Sequence, residues 1–278
     1  MRQLWRVCVD LLREALARKS IFGPFIGVTL ALFILGGFLR LEVVDGAIAG
    51  SRLFGALLFD DIIQADVALR PVFMAAAYIA FYGGSVFLAV ACSDFAPNLL
   101  SPGRIEHLLS LPVARWQLLF GTYLGVVAMA LLTAAYGSVG VTVLFGVKTG
   151  VWTWRLLAGG LLGMAGFCAV YAAQLCLSLF VRSAAAGAAL GVSMVGLGVV
   201  SSQREAISGW VEPGFGRVAF DWLIRPIPRL GDLASAGARL AGQQPVDFAA
   251  TGKIALGALV FSAALLAVAA FRFERRDF

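Results

Sequence analysis

Long uncharged runs alternate along the chain with short polar or basic stretches, and the runs set the architecture. Six of them read as membrane-spanning helices: residues 21–39, 71–92, 118–147, 156–181, 183–202 and 254–271. Roughly 20 apolar residues carry a helix across the ~30 Å hydrocarbon layer of a bilayer. The third run is about half as long again, which predicts a helix that tilts or protrudes. The fifth is rich in Gly, Ala and Ser rather than Leu. Its Gly187, Gly191, Gly196 and Gly198 allow another helix to approach closely. The expected fold is therefore all-α, a polytopic membrane protein whose residues 1–278 form a single transmembrane domain.

The connections carry their own patterns. In residues 1–20, Leu4, Val7, Leu11 and Leu12 share one helical face, while Arg2, Arg6, Arg13 and Glu14 lie mostly off it. That predicts an N-terminal helix lying in the membrane interface. Residues 203–253 hold Trp210, Trp222, four prolines and a helical stretch near 229–241, and are expected as an external segment with its tryptophans at headgroup level, partial re-entry into the membrane being left open. Residues 101–116 predict a short cytoplasmic helix. Pro102-Gly103 signals a turn, Ile105, Leu108, Leu109 and Leu111 form an apolar side, and Arg104, Glu106 and His107 are polar. Pro112 ends that helix, and Arg115 with Trp116 anchors the next span at the interface.

Composition agrees with the pattern. Of the 278 residues, 60% are hydrophobic and 14% charged, and the mean hydropathy is +0.90. Soluble domains run nearer 45–50% apolar and about 25% charged. The formal net charge of +6 does not mark a nucleic-acid partner, because the basic residues cluster at span ends. Arg104, Arg115, Arg182, Arg272, Arg275 and Arg276 join the basic N-terminal segment on one side of the membrane. By the positive-inside rule both termini are expected in the cytoplasm.

Candidate chemistry is sparse. The cores of the six spans contain no Asp, Glu, Lys, Arg or His. Tyr78, Tyr82 and Gln174 are the polar candidates for lining a pathway, with helix-to-helix hydrogen bonding as the alternative. His107 is the single histidine, so neither a zinc site nor a histidine-activated nucleophile with a second histidine is expected. The four cysteines lie in or beside apolar segments and read as small buried hydrophobes. No GxxxxGK[ST] loop occurs, which leaves no route to ATP by that motif. No catalytic residue, metal or resident cofactor is expected in this chain, and it does not read as an enzyme.

The 101–115 stretch resembles the region between the second and third helices of type-2 ABC-transporter permeases. Their pattern is close to G-T-L-E-x-L-L-S-x-P-V-x-R, and Gly103, Glu106, Leu108, Leu109, Ser110, Pro112, Val113 and Arg115 stand at matching positions. Many members carry acidic residues just before the glycine, where this chain has Asn98-Leu99-Leu100-Ser101-Pro102. The resemblance extends to the layout of an interfacial helix, six spans and a basic tail. It implies a coupling helix that docks on a separate ATP-binding-cassette ATPase subunit, through Gly103, Arg104, Ile105, Glu106, His107, Leu108, Leu109, Ser110, Pro112 and Arg115. ATP and Mg would be held by that partner. A second permease chain, the same or different, would complete an exporter in the inner (cytoplasmic) membrane. Two other readings stand beside it: an ATP-driven mechanical or assembly factor acting on an extracytoplasmic partner, and an ATP-independent carrier or channel.

Overall fold

The computed structural model describes residues 22–44, 47–53, 56–59, 63–101, 114–210 and 214–275, together with positions 7, 9, 13, 103, 105 and 106. The expected interfacial helix over 1–20 lies outside the described residues, apart from those three positions. The first helix, α1, runs Phe22–Phe38. Four short strands follow: β1 (Leu39–Val44), β2 (Ala47–Leu53), β3 (Ala56–Phe59) and β4 (Ile63–Gln64). The remaining helices are α2 (Ala65–Ala91), α3 (Phe95–Leu99), α4 (Arg115–Thr149), α5 (Arg155–Ser178), α6 (Ala184–Ser202), α7 (Arg204–Trp210), α8 (Phe215–Ile224), α9 (Leu230–Ala241) and α10 (Phe248–Glu274).

Five stretches are long and apolar enough to cross a membrane: Leu69–Leu99, Arg115–Thr149, Arg155–Ser178, Ala184–Ser202 and Phe248–Glu274. They match the second to sixth expected spans. The described part of α1 is apolar but only 17 residues long, the lower limit of crossing length. The boundaries follow local chemistry. Gly150, at φ 73°, closes α4 in the left-handed conformation that glycine adopts freely. Ser183 Oγ accepts from Ala186 N–H at the start of α6, and Asp247 Oδ1 accepts from Ala249 and Ala250 N–H at the start of α10. Pro71 does not begin α2 but sits within its second turn, where the N–H it lacks would have made only one early hydrogen bond.

The architecture is all-helical, as expected, apart from one small element: between α1 and α2 the chain forms a short antiparallel sheet. β1 pairs with β2 from Leu39↔Leu53 to Val44↔Ala47, and β3 and β4 pair with β2 at residues 51–53 and 47–48. The sequence Leu39-Arg-Leu-Glu-Val-Val44 is β-branched at its end and alternates at its start, which suits a strand.

The helices pack around α5. Phe167, Tyr171 and Leu175 are fully buried against Tyr123, Val126 and Met129 of α4 and Leu266, Ala269 and Phe273 of α10. On the other flank, Ala169, Val170 and Ala173 meet Phe81 and Ala89 of α2, Met194 and Val195 of α6, and Leu230, Leu233 and Ala234 of α9. Helix α9, in the segment for which re-entry was left open, is packed into the body, with eight of its residues buried, including Gly231, Gly237 and Ala241.

Candidate functional site

Two ends of the helical body can be told apart by residues that meet there. At the Arg115 end, α2 stops, α4 starts and α10 stops. Arg115 Nη1 donates to the carbonyl of Glu274 (3.2 Å), placing a cation at the carbonyl-rich end of α10. Arg272 lies over the Phe180 ring, 5.4 Å from its centre, and so ties α10 to the turn between α5 and α6. At the opposite, Arg155 end, Lys148 Nζ donates to the carbonyl of Gly36 and joins α4 to α1.

The 101–115 connection therefore lies at the Arg115 end. Gly103 has φ 79°, a left-handed turn that a Cβ would strain. Ile105 N–H donates to Ser101 O (3.1 Å), and the Ile105 side chain is only 2% exposed, in a cluster with Leu100, Ala96 and Leu119. Glu106 beside it is exposed. Among the residues named for a partner contact, Ile105 is thus committed to the protein's own core. Arg104, His107, Leu108, Leu109, Ser110 and Pro112 lie outside the described residues. Arg115 begins α4, and Gln117 Oε1 accepts from Ala114 N–H just before it.

The three pathway candidates separate. Gln174 is buried, and its Nε2 donates to Ala89 O (2.8 Å) and Gly187 O (2.9 Å). One amide thus clamps α5 to both α2 and α6, the helix-to-helix role. Its Oε1 and the hydroxyl of Tyr171 are buried without a hydrogen-bond partner. Tyr78 and Tyr82 lie elsewhere, stacked with ring centres 6.3 Å apart and facing α9. Tyr78 Oη donates to Ser235 Oγ (3.3 Å).

Their neighbourhood is polar for a reason that residue spacing along the chain hides. Helix α9 starts deep in the body. A β-carbon on Gly166 would come within 3.1 Å of Leu230, and one on Gly198 would strike the same leucine. Gly166 lies 11 residues from the start of α5 at Arg155 and 12 from its end at Ser178, so it is the helix midpoint. At the helical rise that is about 17 Å from either end. From there α9 climbs toward the Arg155 end. Its Gly237 meets Gly159 backbone to backbone, and Gly242 just beyond it abuts Met74 and the Arg70 carbonyl. Ser201 Oγ donates to Ile227 O (2.8 Å), so the excursion through α7 and α8 leaves and returns at the same level.

That geometry gathers charge at the end of α6, where Gly231 abuts Ser202. Arg229 and Asp232 pair across one turn of α9 at 3.8 Å. Arg204 and Glu205 at the start of α7 lie close enough to act electrostatically on Asp232. The first turn of α9 has no side-chain cap. Sequence reading found no ionisable group in the span cores, and these four belong to the 203–253 segment between two spans. The sequence signal for the packing of α9 was the small-residue stripe Gly231, Ala234, Gly237, Ala238 and Ala241, unusual for a solvated helix. Among the described residues, no three His, Cys, Asp or Glu side chains come together as metal ligands. A scan against protein-family models and a comparison with curated proteins both find no match for the chain.

Proposed function

We propose that this chain is the membrane-spanning subunit of an ATP-driven exporter of the type-2 ABC permease kind, powered by a separate ATPase. In this reading α1 is the first of six spans, both termini and the 101–115 connection face the cytoplasm, and two permease chains pair. The observation that carries it is the build of that connection. Gly103 turns the chain, Ile105 roots it in the core, Glu106 points away, and Arg115 fixes its exit to the end of α10. Such a connection transmits a push because it is anchored at both sides. The motif resemblance supplies the motor that would push it. Nucleotide-driven closure of the ATPase pair would then bias the helices between access states through differential contacts at this handle.

The test is co-expression with the ATPase encoded beside this gene. Glu106→Ala combined with Leu108→Ala is expected to abolish stimulated ATPase activity while membrane insertion and yield are kept. Undiminished stimulation in the double variant rejects the coupling role. A second reading, mechanical work on a partner outside the membrane, draws on α8. Its Phe215 and Trp222 are 89% and 77% exposed beside the Arg155-side excursion. Specific cross-linking of a benzoylphenylalanine at position 222 to one extracytoplasmic protein would favour it.

A further inference from the structure

Helix α8 turns its apolar side away from the protein. At ~100° per residue its positions fall into three sectors. Ile224 is its one buried residue and Phe220 beside it is half-buried, on the side where α8 meets α7 and the end of α6. Arg217, Asp221 and Arg225 form a polar stripe next to them. A third arc, about 140° wide, is wholly apolar and holds Val218, Trp222, Phe215, Ala219 and Leu223. The four larger side chains in it are each more than half exposed. A solvated surface helix keeps polar residues opposite the protein, and here the apolar arc takes that place. A helix this short is also marginal in water, and one buried side chain does little to hold it.

The level of α8 is fixed by its neighbours. The crossing stretch α6 ends at Ser202, and the bond from Ser201 Oγ to Ile227 O returns the chain to that same end after α8. The end of a crossing helix marks the boundary between hydrocarbon and headgroups. A helix lying there beside the protein has three neighbours: protein, water and acyl chains. The three sectors of α8 match them. Trp222, and the exposed Trp210 that ends α7, are of the residue type that settles at this level. We infer that α8 is a membrane-surface anchor, with Phe215, Val218, Trp222 and Leu223 embedded in phospholipid and Arg217, Asp221 and Arg225 facing headgroups and water. Phospholipid, not the protein of the second functional reading, covers this face. Through Pro226 and the buried Pro228, the anchor holds the head of α9 at the membrane surface. It requires α6 to cross the bilayer and nothing from the exporter reading.

Photo-crosslinking in native membranes tests it. Benzoylphenylalanine is placed singly at positions 215, 221, 222 and 259 of the full chain, and each adduct is identified by mass. Position 259, exposed on α10, calibrates the capture of lipid. Phospholipid adducts are expected at 215 and 222, with far less at 221. Equal capture at all three overturns the three-sector arrangement. Adducts at 215 and 222 to an extracytoplasmic protein, or to a second copy of this chain, overturn the anchor and favour a protein partner. So does the absence of any adduct there while position 259 captures lipid. The native side chain gives an independent reading. Emission from Trp222, taken as wild type minus Trp222→Phe, should be largely lost in vesicles of phosphatidylcholine brominated on its acyl chains. Equal emission in brominated and ordinary vesicles overturns the anchor. ATPase coupling plays no part in either measurement, so failure of the Glu106 and Leu108 test leaves the anchor standing, and its own failure leaves that coupling untouched.

Discussion

Gly191 shows how far single atoms decide the packing of this bundle. A β-carbon there would run into Gln174 Nε2 and come within 2.8 Å of Ala89 Cβ, so α2, α5 and α6 meet at a point with no spare volume. The same glutamine holds the carbonyls of Ala89 and Gly187, and hydrogen bonds of this kind in membranes average about 0.6 kcal/mol each. Gly191→Ala must therefore push the clamp apart and overpack the contact. The expected loss is about 1–3 kcal/mol, read as a lower unfolding midpoint in detergent. Val192, exposed one residue on, takes Ala without such a loss. The 101–106 turn offers a second contrast. Ile105→Ala opens a cavity beside Leu100 and Leu119 and should cost about 2–5 kcal/mol. Glu106→Ala next to it should leave the midpoint unchanged and touch only partner coupling. Equal thermal effects of the two would show that Ile105 is not the root of the connection.

Among the elements, α9 is where residue pattern and structure part company, and the reason is physical. A helix of 12 residues is too short to cross a bilayer, so length left open whether it stays outside or re-enters. Burial instead came from small residues that allow backbones to touch. Gly159 and Gly237 approach so closely that a β-carbon on either would lie 3.0–3.3 Å from the other's carbonyl oxygen. Backbone cannot yield as a side chain can. Gly159→Leu is accordingly expected to expel α9 while leaving the five crossing stretches inserted. Protease added at the Arg155 end should then cut between 225 and 245, where wild type resists; resistance in the variant would mean that α9 is not held by this contact. The sheet was legible in principle from the alternation at Leu39–Glu42, but a pattern of four residues is too short to separate a strand from other extended chain. The crossing helices were legible throughout, because an apolar run of about 20 residues has few other stable fates. The candidate pathway was half legible. Tyr78 and Tyr82 do meet a polar cluster, but the charges that make it one lie over 120 residues further along the chain, and only α9's insertion brings them there.

At the level of the whole molecule, apolar side chains serve two different neighbours. Ala258 and Leu259 are adjacent on α10, yet Ala258 is fully buried and Leu259 is 46% exposed. One face packs on α5 and the other has no protein against it among the described residues. Trp at 258 should prevent folding, whereas Trp at 259 should insert and unfold like wild type, with its fluorescence quenched by brominated lipid. A Leu259→Trp protein shielded from that quencher would show that another chain covers this side of α10. The same contrast explains why hydropathy located the helices but said nothing about which face of each packs: most faces are apolar all round, and small residues, not polarity, mark the contacts.

Helix α4 overhangs the start of α5. Thr142 Oγ1 donates to Thr153 O (3.0 Å) beside the start of α5, yet α4 continues to Thr149. Its last seven residues thus rise about 10 Å above their neighbour. Whatever approaches that surface above α5 meets a ledge rather than a plateau, with Trp154 exposed at its foot and Trp152 set against Gly146 on its side. A partner shaped to seat against a step has one way round to sit, so docking there would be keyed by relief even where charge and chemistry are indifferent.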